Sequence, residues 1–223
     1  MLRVFPPGYK IVNRYLTDVS LRVKISLHFS LVFNLIYAAF KLISGVYYAS
    51  FWYGADAIFY IVLSIARFLL IRHVRKNKND SAAAFKQYRI CGILIFGLNA
   101  AFVSAVYQIV NHQSKGYSYP GSLIYVVAIY TFYLITISVI NMVKYHKQNN
   151  PVYSAQKALS LTKALVAMFA LQTSMFASFG ADETLERVMN IASGGVICFT
   201  IFAIAVMIII RANQELGARN ANE

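Results

Sequence analysis

Six stretches of this 223-residue chain are apolar over lengths near the roughly 20 residues that a helix needs to cross the hydrocarbon of a bilayer. They cover about 25–48, 51–72, 90–110, 121–143, 158–179 and 188–210. A hydrophobic fraction of 59%, only 13% charged residues and a mean hydropathy of +0.57 set the chain apart from ordinary soluble domains. The expected fold class is all-α: a polytopic membrane protein with six transmembrane helices. In this reading residues 1–24 form a cytoplasmic amphipathic segment, 25–212 the transmembrane domain and 213–223 a short cytoplasmic tail. No stretch is left for a soluble domain, so function is expected in the bundle or on its faces.

A net charge of +13 invites comparison with nucleic-acid-binding proteins, but the placement of the cations argues otherwise. Arg3, Lys10, Arg14, Arg22 and Lys24 precede the first span, and Arg72, Arg75, Lys76, Lys78, Lys86 and Arg89 join spans two and three. Lys144, Lys147 and Lys157 join spans four and five, and Arg211 and Arg219 follow the last. The alternate connections hold almost none: Lys115 in one, and Arg187 beside Asp182, Glu183 and Glu186 in another. By the positive-inside rule the basic side is cytoplasmic, which puts both termini there. The basic excess is thus a topology signal and an attraction to anionic headgroups, with no nucleic-acid partner expected. A plasma membrane, bacterial by expectation, is the predicted location.

The first 24 residues lack the continuous apolar core of a cleaved signal. From Tyr9 to Lys24, Ile11, Val12, Tyr15, Leu16, Val19 and Val23 recur at helical spacing among basic residues, the pattern of an interfacial helix. Cys91 and Cys198 have no CxxC spacing and read as small buried residues. His28, His73, His112 and His146 are scattered, without a second ligand at metal-binding spacing. No nucleophile-elbow, zinc-protease or phosphate-loop pattern occurs. Neither an enzyme, a cofactor nor a metal site is expected.

A charge at the centre of a span costs about 2.5–3.5 kcal/mol on insertion scales, so each one requires an explanation. Lys41 in span one and Asp56 in span two stand at similar depth in a tight hairpin, which predicts an ion pair. Arg67, near the inner end of span two, is expected to extend its guanidinium to the headgroups. Asp56, Tyr60, Ser64 and Arg67 follow one another at spacings of four, four and three, along one helix face. On span five, Gln156, Ser160, Lys163, Ala167, Ala170 and Ser174 form a second stripe. Two facing stripes outline either a solute path or a small-residue packing seam. Lys41, Asp56, Tyr60, Ser64, Ser160 and Lys163 are the candidate intramembrane site, and Asn34, Asn99 and Asn141 are expected to be interhelical hydrogen-bonding residues.

Around the first hairpin the chain reads Asn34, six residues, Lys41, three residues, Gly45, three residues, Ala49-Ser50, four residues, Ala55-Asp56-Ala57. This resembles the cation diffusion facilitator family of zinc exporters, which typically shows N-x6-K-x3-G-x3-G-S-x4-A-D-A there. The resemblance implies a six-helix, cation-efflux-like bundle, and a homodimer. It also implies where an ion would bind, at an H/D-x-x-x-D pair on each of spans two and five. Those positions hold Phe59 and Leu63 on span two, and Leu159 and Lys163 on span five. The family's C-terminal cytoplasmic domain has no counterpart here. Lys163 is expected to supply the positive charge that a bound ion would bring. The functional expectation is a divergent transporter-like protein with a degenerate metal site, moving a solute other than zinc; the alternative is a non-transporting membrane scaffold or interaction partner.

Overall fold

The computed structural model describes residues 19–47, 51–76, 81–112, 123–144, 150–180 and 182–220. They form six helices and no strand: α1 (Val19–Tyr47), α2 (Phe51–Lys76), α3 (Ser81–His112), α4 (Leu123–Lys144), α5 (Pro151–Phe179) and α6 (Glu183–Asn220). Four contain segments long and apolar enough to cross a membrane: Ala82–Asn111 in α3, Ile124–Val143 in α4, Pro151–Phe179 in α5 and Glu183–Arg219 in α6. Among its described residues α1 contributes a shorter apolar stretch, Leu27–Ala39. Large apolar side chains such as Ile43, Ile129, Phe132, Val196 and Phe199 point outward, and Ile129 is 72% exposed. So much outward apolar surface fits a lipid environment rather than water.

The helices outrun several of the expected boundaries. The expected break between an interfacial segment and the first span, at residues 24 and 25, lies inside the continuous α1. The basic stretch that joins the second and third apolar segments is helical up to Lys76 and again from Ser81. Lys, Arg, Gln and Ala are strong helix formers, so the backbone continues once the apolar segment has ended. For the same reason most of the expected tail, 213–220, extends α6. Residues 1–18 lie outside the described set, and with them most of the amphipathic segment.

Helix α5 is the hub, packing against α2, α3, α4 and α6. Its ends have clear local causes. Asn150 is the N-cap, accepting a hydrogen bond from the Val152 amide at 3.0 Å, and Pro151 occupies the first turn. Gly180, at φ +69°, closes the other end and donates its N–H to the Phe176 carbonyl at 3.1 Å. Further pairs are made by α1 with α2, α2 with α3 and, most extensively, α3 with α6.

Small residues set the α3–α6 approach. A Cβ placed on Gly92 would lie 2.7 Å from Ile208 Cγ2 and 2.9 Å from Ile209 Cγ1; on Gly194, 2.7 Å from Val106 Cγ1. All three contacts are closer than packed carbons tolerate. Arg89 bonded to Asn213 and the Arg219 guanidinium over the Phe85 ring tie the same pair near its end. Between α5 and α6, Gln172 donates to Ser193 Oγ at 2.9 Å and reaches the Met189 carbonyl at 3.3 Å. Gly92→Leu should therefore overpack the α3–α6 seam and lower stability by about 1–3 kcal/mol. Gly195→Ala, where a Cβ meets nothing within 4 Å, should leave it unchanged. Thermal unfolding of the purified protein in detergent checks the contrast.

Candidate functional site

The polar stripe of α5 meets the rest of the bundle at Lys163. This residue stands 12 positions after Pro151, about 18 Å along the helix axis, and is only 6% exposed. Its ammonium donates to Asn34 Oδ1 of α1 at 2.9 Å and lies 3.5 Å from the Tyr130 hydroxyl of α4. It also sits 5.4 Å from the centroid of the Tyr60 ring of α2 and 6.0 Å from that of Tyr130. Side chains from three other helices therefore converge on one charge. An amide oxygen, a phenol oxygen and two π-faces replace the water that the ammonium has lost; a desolvated cation–π contact alone contributes about 2 kcal/mol.

Tyr60 is held in turn by Tyr37 of α1, with ring centroids 4.6 Å apart, and by Phe59 beside it in an edge-on contact at 5.7 Å. Tyr130 differs, being 40% exposed on the outer face of the bundle. It is the one contact of the ammonium that borders the surroundings of the protein.

One turn away lies a second cation. Arg67 stands nine residues before the end of α2 and is 1% exposed. Its Nη2 donates to Ser160 Oγ of α5 at 3.4 Å. Ser160 precedes Lys163 by three positions, so the partner of one cation and the other cation share a face of α5. Ser138 of α4 donates to the Ser160 carbonyl at 3.2 Å, which brings a third helix to this level. The expectation that Arg67 extends to the headgroups is thus not met: its side chain turns into the α2–α5 interface. Its place on the Tyr60–Ser64–Arg67 stripe was the signal for this, since that face is turned to the bundle.

The structure unites part of the expected site. Tyr60, Ser160 and Lys163 come together, joined by Arg67. Ser64 is buried on the same stripe but spends its hydroxyl on the Tyr60 carbonyl at 2.8 Å. Lys41 and Asp56 fall in α1 and α2, but their side chains lie outside the described residues, and with them the expected ion pair. Asn34 is an interhelical hydrogen-bonding residue as expected. Tyr130 and Ser138 carried no signal, because α4 is apolar nearly throughout and offers no periodicity from which to choose a face.

Several buried polar atoms here have no hydrogen-bond partner: Arg67 Nε and Nη1, Asn34 Nδ2, Gln156 Oε1 and Thr162 Oγ1. The described carboxylates are Asp182, Glu183, Glu186 and Glu215, all in or next to α6, so none neutralises Lys163 or Arg67. Farther along α5 the stripe closes on itself, with Thr173 and Ser174 donating to carbonyls of their own helix, the latter at 2.7 Å to Ala170. The three other positions that the family resemblance aligns with ion ligands are apolar and buried: Phe59, Leu63 and Leu159. Among the described residues no group of His, Cys, Asp or Glu could hold a metal ion. Comparison with protein-family models, curated proteins and solved structures returns no match.

The Lys163–Asn34 contact gives a measurable coupling. Asn34→Leu should destabilise the protein by about 1.5–3 kcal/mol, the worth of a hydrogen bond to a charged group. In an Asn34→Leu/Lys163→Met pair the losses should be clearly less than additive, because the cation that needs the acceptor is gone. Unfolding midpoints of the two single variants and the double variant supply the cycle.

Proposed function

We propose that this chain is a transporter-like membrane protein of six spans with both termini cytoplasmic, in which a cationic polar site stands where a related exporter would bind a metal ion. The observation that carries the reading is the burial of Lys163 between α1, α2, α4 and α5, with Arg67 bonded to Ser160 one turn earlier on α5. Two cations without a described carboxylate repel a dication, which requires several converging oxygen or nitrogen ligands. Apolar side chains at Phe59, Leu63 and Leu159 supply no such ligand. The solute is therefore one other than zinc.

Polar groups are concentrated toward one end of the α2–α5 interface. Gln156, Ser160 and Lys163 succeed one another from the start of α5, whereas beyond Lys163 the next turns present Val166 and Phe169 to the core. Access to the site from the end where α5 begins and α2 ends follows from this gradient. In the proposed topology that end is cytoplasmic, matching the side on which Lys and Arg accumulate.

A second reading, a non-transporting scaffold or interaction partner, draws on the burial of Phe59 and Leu63, which tightens the centre of the bundle. Flux separates the two. Purified protein in liposomes should show no zinc-specific uptake above protein-free vesicles, and a screen of small organic and inorganic solutes should find one whose flux falls at least tenfold in Lys163→Met. Saturable zinc flux would overturn the metal-free site, and the absence of flux for every solute would favour the scaffold.

A further inference from the structure

From the buried donors that have no hydrogen-bond partner, we infer that the interface between α2 and α5 binds a small oxyanion, a carboxylate-, phosphate- or sulfate-type group. The inference rests on the cationic site described above and specifies its ligand. Unpartnered donors outnumber unpartnered acceptors here. Arg67 is 1% exposed, cannot be deprotonated in practice, and presents its Nε and both protons of Nη1 to no acceptor. The third buried donor group, the Asn34 amide, offers its Nδ2 while its oxygen is occupied by Lys163. Against these stand Ser160, whose hydroxyl already accepts from Arg67, and two neutral acceptors on α5, Gln156 Oε1 and Thr162 Oγ1, without partners.

Buried donors without acceptors carry their full desolvation cost, and two like charges within about two helical turns of each other add repulsion. One group of negative charge with several oxygen atoms relieves both. The planar guanidinium matches carboxylate, phosphate and sulfate, which accept two parallel N–H bonds from it, better than it matches a spherical halide. The Lys163 ammonium, whose acceptors among the described residues are neutral, supplies the second charge one turn farther along α5. An anion seated there would lie between the Arg67 level and the Lys163 level of α5, which are three residues or about 4.5 Å apart along the axis.

The same oxyanion chemistry is carried by a free solute and by an anionic lipid headgroup, and Tyr130 brings the site to the outer face of the bundle. The test separates them. Thermal unfolding of the full chain is followed with inorganic phosphate, sulfate, acetate and chloride at constant ionic strength, first in a neutral detergent and then in nanodiscs of phosphatidylcholine with or without phosphatidylglycerol. A saturable rise in midpoint with an oxyanion, at least tenfold lower in midpoint concentration than with chloride, is the expected result for a free solute. A rise produced by phosphatidylglycerol and not by the free anions assigns the site to a headgroup and keeps the oxyanion chemistry. Arg67→Gln should weaken the effect at least tenfold. Since that variant could fail to fold, Asn34→Asp and Ser160→Asp provide a second test: each places a carboxylate beside a cation, so each should raise the unfolding midpoint without ligand and abolish the response to anions.

The inference fails if no oxyanion or anionic lipid shifts the wild-type midpoint, or if the aspartate variants respond as the wild type does. Its fate is separate from that of the transport reading. Specific anion binding without flux in liposomes would sustain the site and remove transport, whereas saturable flux of a neutral or cationic solute by a protein that binds no oxyanion would do the reverse.

Discussion

A lysine ammonium held away from water is the constraint around which this bundle is organised. Left unpaired in an apolar medium the charge would be prohibitive, so every helix near it contributes something that stands in for hydration. Asn34 gives α1 an oxygen, Tyr60 gives α2 a π-face, and Tyr130 gives α4 both a hydroxyl and a ring. The result fixes three helices against α5 at one level. Apolar packing, by comparison, is indifferent to small rotations of a helix in lipid, where tails are as apolar as the side chains they replace.

The two halves of the fold use different means to hold together. The α3–α6 pair is joined by close approach at Gly92 and Gly194, by aromatic contact between Phe96 and Phe202, and by the Arg89–Asn213 and Arg219–Phe85 ties. The region around Lys163 and Arg67 is held by polar contacts instead, and several of its buried donors and acceptors remain unsatisfied. Incomplete satisfaction reduces stability and is concentrated where binding sites are found. The bundle thus combines a well-packed seam with a polar, under-satisfied one.

Charge sign also decides between chemistries that the same helices could support. Carboxylates turned inward at the α2–α5 interface would favour a metal ion; Lys163 and Arg67 in that interface favour groups with negative charge. The buried Phe59, Leu63 and Leu159 are apolar and offer no ligand atom for a metal ion. The motif resemblance at Asn34 through Ala57 therefore says little about what this interface accepts, since function depends on the side chains placed on a fold.

Much of the architecture is legible in the amino-acid order. Apolar runs near span length announce helices, because that signal is local and additive along the chain. The stripe containing Tyr60, Ser160 and Lys163 is legible too, since helical periodicity alone places these residues on bundle-facing sides. Helix ends were less so: Lys- and Arg-rich segments end an apolar window without ending a helix, so α1, α2 and α6 run past the expected boundaries. Tertiary structure alone decided the rest. Arg67 near a helix end has the reach to extend outward, and only the position of Ser160 on another helix turns it inward. Tyr130 lies on a helix with no polar periodicity, and its hydroxyl gains meaning only from a lysine 33 residues later. Sequence determines which face of each helix is polar; which charges then meet depends on helix rotation and depth, and those are set by contacts between segments far apart in the chain.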